Sequence, residues 1–203
     1  DEDHASEMQA LCSGLSDEQA SHALGIAQGG LAYWAAAIRE SFEEAGLLLA
    51  YEPGGGIVEL TRDDVIERFS AHRRALDEGS RSLAAILREE GLRVATDQLA
   101  YFSHWITPVG RSRRYDTRFF VAAAPQAQEA LSDNRETIGH VWVTPGEALD
   151  KRRSGGFEMR LPTVRTLELF AGFDHVASLL KALRAQRGVA AILPRITRDG
   201  RHL

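Results

Sequence analysis

One stretch of the sequence, RESFEEAGL, brings an arginine and three glutamates within six positions. At about 100° per residue, a helix would place Arg39, Glu40, Glu43 and Glu44 on one side. The opposite side would be apolar, with Trp34, Ile38, Phe42 and Ala45. Like charges three or four positions apart repel by a few tenths of a kcal/mol per pair, so cations should balance them. Arg39 supplies one, and a hard divalent ion such as Mg²⁺, which binds carboxylate oxygens, could supply more. Spacing alone favours a solvated acidic face, because exposed carboxylates are the rule.

Length and composition restrict the class of protein. A chain of 203 residues with 44% apolar content can bury the core of one domain, with an insertion or appendage. The net charge of −5 argues against a general nucleic-acid binder, whose binding surface is normally basic. Cys12 is the only cysteine, which excludes an intramolecular disulfide. No apolar run approaches the length of a membrane-spanning helix, and the acidic start DEDHASEM is unlike a secretory signal.

Patterns typical of helices occur between residues 4 and 90 and again between residues 144 and 187. Two short helices are expected within residues 4–24, the second opened by Ser16. A longer helix should cover residues 31–45 and end at Gly46, where a left-handed residue commonly stops a helix. Further helices are predicted at 62–76 with Thr61 as the N-cap, at about 80–90, from Thr144 onward, at 162–172 and at 174–187.

The middle of the chain is rich in strand patterns. The segments that predict strands are LLLAYE after Gly46, and then LRVATD, AYFSHWITP, YDTRFFVAAA and IGHVWVT between residues 92 and 144. Because these runs are bracketed by helices, the sequence indicates a mixed α and β domain, of the α+β class.

Three segments together resemble a known family. RESFEEAGL is similar to the second half of the Nudix hydrolase box, with Ser41 a weak match at an apolar position. HWITPVGRSRRYDTRFFVA, residues 104–122, and HVWVTPGEAL, residues 140–149, resemble the peroxisomal coenzyme A diphosphatases of mammals and their bacterial relatives. The resemblance implies a Nudix-like α/β/α sandwich with a mixed sheet and a helical insertion.

The resemblance also implies a division of the chain. In this subgroup the box is split by an inserted helical segment, which residues 1–30 resemble. Residues 31–190 would form the catalytic core, and 191–203 an irregular tail. The first half of the box, with a Phe-Pro-Gly-Gly turn and the first strands of the sheet, is expected upstream of Asp1.

Residue roles follow from the same resemblance. It implies that Glu40, Glu43 and Glu44 bind Mg²⁺ or Mn²⁺, and that Arg39 orients a glutamate and balances charge. For the catalytic base, Glu136 is the first candidate outside the box, with Asp97 and Glu40 as rivals. An exposed loop acid is at least as good an interpretation of Glu136.

A cluster of arginines could bind phosphate oxygens. Guanidinium groups bind such oxygens bidentately, and the candidates are Arg111, Arg113, Arg114 and Arg118. In a strand, Arg118 would share a face with Asp116, so those two could simply pair. His104 and Trp105 could stack on an adenine, although an aromatic side chain in a strand is more often part of the core.

The resemblance leads to one preferred function and two alternatives. The preferred one is a divalent-metal-dependent diphosphatase that cleaves coenzyme A or acyl-coenzyme A to 3′,5′-ADP and a phosphopantetheine. The alternatives are a Nudix hydrolase for another nucleoside diphosphate derivative, such as ADP-ribose or a dinucleotide, and a non-catalytic Nudix-like binding module. We expect a cytoplasmic protein without nucleic-acid or membrane partners, and a homodimer is compatible with the sequence.

Overall fold

The computed structural model describes residues 7–110, 112–131 and 141–195. These residues divide into two compact units. The first, called the box unit, comprises residues 7–99 and 122–131. The second, called the hairpin unit, comprises residues 100–110, 112–121 and 141–195. No helix in the described ranges is long and apolar enough to cross a membrane.

The box unit combines helices with a small mixed sheet. Its helices are α1 (Asp17–Leu24), α2 (Leu31–Ala45), α3 (Asp63–Asp77) and α4 (Leu83–Glu90). Its strands are β1 (Cys12–Ser13), β2 (Ala50–Tyr51) and β3 (Arg93–Ala95), followed by a 3₁₀ turn over Thr96–Gln98. The central strand β3 pairs parallel with β1 and antiparallel with β2, so that Val94 lies opposite both Cys12 and Ala50.

Helix α2 has the predicted limits and the predicted buried side. Trp34, Ile38 and Phe42 are buried, and the Phe42 ring packs edge-on against Phe69 of α3 at 6.4 Å between centroids. Gly46 ends the helix in the left-handed conformation with φ of 71°. Glycine adopts the left-handed conformation at little cost in free energy because it has no Cβ. This explains why α2 ends at Gly46.

Helix α1 caps the start of α2. The Asp17 carboxylate accepts hydrogen bonds from the backbone N–H groups of Gly29 and Leu31 at 2.9 and 3.0 Å. The Ser21 hydroxyl accepts another from Gly30 N–H at 2.9 Å. A side chain at Gly30 would collide with the α1 backbone, since its Cβ would lie 2.2 Å from Ser21 N. The two helices are therefore closely joined, although the link between them contains several glycines.

The hairpin unit is built around a three-stranded sheet. Its strands are β4 (Ala100–Ile106), β5 (Asp116–Val121) and β6 (Ala191–Ile192), and its helices are α5 (Pro145–Arg153), α6 (Leu161–Phe170) and α7 (Val176–Ala185). Strand β4 lies in the middle, antiparallel to β5 and parallel to β6. The core of this unit joins β4 to α7 through Ala100, Phe102, Leu179, Leu180 and Leu183.

Several local predictions are confirmed. Ser16 forms a capping box at α1 with Gln19, and Thr144 forms one at α5 with Glu147. The predicted strands before and after residue 100 correspond to β3, β4 and β5.

Other local predictions are wrong. The N-cap of α3 is Arg62 rather than Thr61, and no side-chain oxygen caps that helix. The β2 strand covers only Ala50–Tyr51 of LLLAYE, because Gln128 rather than a neighbouring strand satisfies both backbone groups of Leu48. Residues 141–144, the described part of the predicted strand IGHVWVT, are not in a strand.

Two short strands were not expected. Cys12–Ser13 lies in the segment predicted to be helical, and Ala191–Ile192 lies in the tail predicted to be irregular. Both add a parallel edge to a sheet whose other strands are distant in sequence.

Candidate active site

The charged side of α2 contains a small ion-pair cluster. Arg39 Nη1 donates to Glu43 Oε1 at 3.1 Å, and Arg39 Nη2 donates to Glu40 Oε1 at 2.5 Å. One guanidinium thus bridges two of the three carboxylates and partly offsets the repulsion between them. Glu44, one position further along the helix, is exposed.

Glu43 occupies the least solvated position of the cluster. Its side chain is 14% exposed, compared with 51% for Glu40. Burial raises the pKa of the Glu43 carboxyl, the nearby charges of Glu40 and Asp77 raise it further, and Arg39 lowers it. A cation beside Glu43 would reverse this upward shift, because it would favour the ionised form.

The residues fit a hard divalent cation. The donor set on the charged side of α2 consists of three carboxylates, and oxygen donors are those that Mg²⁺ and Mn²⁺ prefer. Arg39 neutralises one negative charge, which leaves a net negative cluster. In the present side-chain arrangement Glu40 and Glu43 are turned toward Arg39.

The segment after α2 is held by a single amide side chain. Gln128 accepts from Leu48 N–H at 2.9 Å and donates to the carbonyl groups of Leu48 and Val58 at 2.9 and 2.8 Å. Leu131 N–H donates to the carbonyl of Ala45, the last residue of α2, at 2.9 Å. Residues 122–131 therefore brace the end of α2 from a distant part of the sequence.

Asp97, a rival candidate for the base, lies in a hydrogen-bonded group of its own. Its carboxylate accepts from the Tyr51 hydroxyl at 2.8 Å, and Gln98 Nε2 donates to the same hydroxyl at 2.6 Å. Gly14, with φ of 103°, lies against this carboxylate, so that a Cβ there would be 2.4 Å from Asp97 Oδ1. These contacts hold the Asp97 side chain between Tyr51 of β2 and Gly14, which follows β1.

The candidate phosphate-binding arginines have different surroundings. Arg118 Nη1 donates to Asp116 Oδ1 at 3.0 Å, the pairing that their shared strand face suggested, and His104 also pairs with Asp116. Arg114 Nε donates to the Thr107 carbonyl at 3.0 Å and so ties the β4–β5 connection. Arg113 is exposed. Arg111 lies outside the described residues.

Comparison with known proteins identifies the family. A profile of the NUDT19 Nudix domain matches residues 6–168 of this chain. The chain belongs to the NUDT19 Nudix domain family. The predicted family is thereby confirmed.

Three curated relatives of this Nudix domain are each named acyl-coenzyme A diphosphatase NUDT19. The chain is 30% identical over 155 residues to the acyl-coenzyme A diphosphatase NUDT19 of Xenopus laevis, covering 71% of this chain and 40% of that protein. It is 30% identical over 182 residues to the NUDT19 protein of Gallus gallus, with 82% and 48% covered. The human protein is 27% identical over 184 residues, with 84% and 48% covered. The chain spans less than half the length of these relatives.

A solved structure has a similar fold. The Nudix hydrolase from Alicyclobacillus acidocaldarius superposes with a TM-score of 0.69 at 20% identity, covering 91% of this chain and 78% of that chain. The α+β Nudix-like fold predicted from the sequence is confirmed by this similarity.

A second acidic group in this Nudix domain resembles a metal site in composition. The donor atoms of His72, Glu89 and Glu90 lie within 4.8 Å of one another. However, Arg68 binds Glu90 bidentately at 2.8 and 3.1 Å, and Arg81 pairs with Glu89. The guanidinium groups of Arg68 and Arg81 already balance the charges of the two carboxylates. The group is therefore an ion-pair network and not a cation site.

The ring nitrogens of His72 support the same conclusion. Nε2 lies 2.9 Å from Glu90 Oε1, and Nδ1 lies 3.2 Å from Arg81 Nη1. Because a guanidinium only donates, Nδ1 accepts and the proton belongs on Nε2, which donates to Glu90. Nε2 thus links α3 to α4, and Nδ1 links α3 to the connection between the two helices.

Sequence reasoning missed two distant residues near α2: Asp77, whose charge raises the pKa of Glu43, and Gln128, which holds the segment after the helix. Asp77 and Gln128 are far from the box in the sequence, and no spacing relates them to it. Glu136, the first candidate for the base, lies outside the described residues. Leu131, the last described residue before it, donates its N–H to the carbonyl of Ala45 at the end of α2.

Proposed function

We propose that this Nudix domain hydrolyses the diphosphate of coenzyme A or acyl-coenzyme A, giving 3′,5′-ADP and a phosphopantetheine. The observation that carries the proposal is the Arg39 bridge between Glu40 and Glu43 on the charged side of α2, in a chain similar to named acyl-coenzyme A diphosphatases. Water adds to one phosphorus, the bridging P–O bond breaks, and the proton of the water passes to a base.

Glu40, Glu43 and Glu44 would bind the cation, either Mg²⁺ or Mn²⁺. A bound divalent ion lowers the pKa of water and neutralises phosphate charge. Arg39 bridges the carboxylates of Glu40 and Glu43 and so orients both of them. The burial of Glu43 keeps this part of the site poorly solvated, which strengthens its attraction for a cation.

Glu136 is our first candidate for the base, with Asp97 and Glu40 as rivals. Glu136 itself lies outside the described residues. The Asp97 carboxylate is occupied by the Tyr51 hydroxyl, and Glu40 by Arg39. Each of these hydrogen bonds stabilises the ionised carboxylate and so makes it a weaker base.

Four arginines would bind the substrate phosphates: Arg111, Arg113, Arg114 and Arg118. Arg113 is the best placed of the described three, since it is exposed and has no hydrogen bond to a protein carboxylate in the described ranges. Arg114 and Arg118 already bind Thr107 and Asp116, and so would also shape the hairpin that presents Arg113.

We retain residues 1–30 as the insertion of the box, 31–190 as the catalytic core and 191–203 as the tail. The protein is proposed to act in the cytoplasm on a small nucleoside diphosphate derivative. Partners other than this substrate are not required, and a homodimer is compatible with the proposal.

The proposal is tested by hydrolysis assays with the full chain. Rates on coenzyme A, dephospho-coenzyme A and ADP-ribose are compared in Mg²⁺, in Mn²⁺ and in excess chelator. We expect metal-dependent hydrolysis that is fastest on coenzyme A, because only that substrate has the 3′-phosphate. Equal or faster hydrolysis of ADP-ribose would favour another Nudix specificity, and binding without hydrolysis would favour a non-catalytic module.

A further inference from the structure

We propose that Arg73, on α3, is a positioning residue for the carboxylates of Glu43 and Glu44. This inference rests on the proposed metal-binding role of the two glutamates. Arg73 lies thirty positions beyond Glu43 and outside the box motif. It is half-buried, and its Nε donates to the backbone carbonyl of Glu43 at 2.9 Å.

The contact lies where a helix needs outside partners. The last four carbonyl groups of an α-helix lack intrahelical donors. In α2, the carbonyls of Ser41 and Phe42 accept from Leu47 and Gly46 N–H at 3.3 and 3.0 Å. The Ala45 carbonyl accepts from the segment before Glu136, and the Glu43 carbonyl accepts from Arg73. Arg73 therefore holds the turn from which Glu43 and Glu44 project.

Electrostatics give this contact a second role. The carboxyl end of a helix is partially negative, so acidic side chains there are unfavourable and basic ones favourable. The last turn of α2 contains Glu43 and Glu44 and no basic residue. Arg73 supplies from another helix the basic residue that the last turn of α2 lacks.

Gly46 makes room for the arginine. Its Cα carries no side chain, and a Cβ there would lie 3.2 Å from Arg73 Nη1. That distance is tighter than ordinary van der Waals contact. The glycine thus has two functions, since it adopts the left-handed conformation and admits the guanidinium beside the helix end.

The test compares Arg73→Ala and Arg73→Lys with Arg74→Ala, which removes the neighbouring exposed arginine of the same helix. Hydrogen exchange of the Gly46 and Leu47 amides reports the last turn without any metal or substrate. Titration with Mn²⁺ alone reports the carboxylates. For Arg73→Ala we expect exchange faster by about fivefold or more and Mn²⁺ binding weaker by about tenfold, with partial rescue by lysine and no change in Arg74→Ala.

Each result decides the inference. Unchanged exchange or unchanged Mn²⁺ affinity in Arg73→Ala overturns the positioning role, and if this variant does not fold, the same comparison is made with Arg73→Lys. A parent chain that binds Mn²⁺ without hydrolysing coenzyme A overturns the proposed substrate, while the exchange and Mn²⁺ data still decide the role of Arg73. A parent chain that binds no Mn²⁺ overturns both proposals.

Discussion

At the scale of single residues, Glu43 is the carboxyl group of the candidate site that burial disfavours most in its ionised form. Its carboxylate is largely shielded from water, beside Glu40 and Asp77, and its pKa is raised chiefly by burial. Burial disfavours the ionised form of this carboxyl in the metal-free fold, whereas metal binding requires the ionised form. An ionised Glu43 therefore lowers the stability of the metal-free fold, and a cation bound beside it would restore that stability.

Glu43→Gln should separate stability from function. Because the pKa of Glu43 is raised on folding, its contribution to stability is present below pH of about 4.5 and is lost as the pH rises through the folded-state pKa. The glutamine variant should therefore be as stable as the parent at neutral pH, or more so, while metal-dependent turnover falls by at least about a hundredfold. Thermal unfolding and hydrolysis assays measure the two effects.

Glu67→Gln is the matched control, because Glu67 is exposed on α3 outside the charged side of α2. It should leave both quantities unchanged. Full turnover in Glu43→Gln would mean that the three carboxylates form only a solvated face.

At the scale of elements, the start of α2 depends on a side chain of α1. Asp17 accepts from two backbone N–H groups, those of Gly29 and Leu31, and from the Ser21 hydroxyl. These hydrogen bonds lower the pKa of the Asp17 carboxyl, the largest effect coming from Leu31 N–H. The charge also lies at the positive end of α2, where an anion is favourable.

Replacing Asp17 by alanine should destabilise the fold by about 1 to 2 kcal/mol at neutral pH, the usual effect of losing a helix cap. Since the folded-state pKa is lowered, the stabilisation is present above the unfolded-state pKa of about 4 and is lost as the pH falls through the folded-state value. Urea unfolding at several pH values measures this difference. Glu18→Gln, at the next and exposed position, should show no such dependence; a pH-independent difference for Asp17→Ala would argue against an ionised cap.

At the scale of the whole molecule, the two units differ in charge. The described residues of the box unit include eight Lys or Arg and seventeen Asp or Glu, whereas those of the hairpin unit include twelve and six. The overall charge of −5 conceals this separation. An acidic unit suits cation binding, and a basic unit suits phosphate binding, as the proposed reaction requires.

The proposed phosphate contacts should make substrate binding depend on salt. Raising NaCl from about 50 to about 200 mM screens charge pairs, so KM for coenzyme A should rise more than KM for dephospho-coenzyme A. Steady-state kinetics at constant free Mg²⁺ provide the measurement. Arg113→Ala should reduce the difference between the substrates, with Arg187→Ala, an exposed arginine after α7, as the control. Equal salt dependence for both substrates would exclude a specific contact with the 3′-phosphate.

Local features were predictable from the sequence alone. The limits of α2, the buried side formed by Ile38 and Phe42, and the stop at Gly46 were all correct, as were the helix starts at Ser16 and Thr144. These features depend on helical periodicity and on side chains that bind backbone groups within four positions. The family was recognisable for the same reason, because its box is a local motif on one helix.

Tertiary structure alone decided which distant groups support that motif. Cys12–Ser13 joins a sheet beside β3, eighty or so positions away, and Gln128 completes the backbone hydrogen bonds of Leu48. Arg73 reaches the Glu43 carbonyl from another helix. A hydrogen bond between distant residues leaves no periodic pattern in the sequence, since any exposed arginine or glutamine has the same donors. The helix that carries the three carboxylates could therefore be predicted from the sequence, whereas the burial of Glu43 and the anchoring of its turn required the fold.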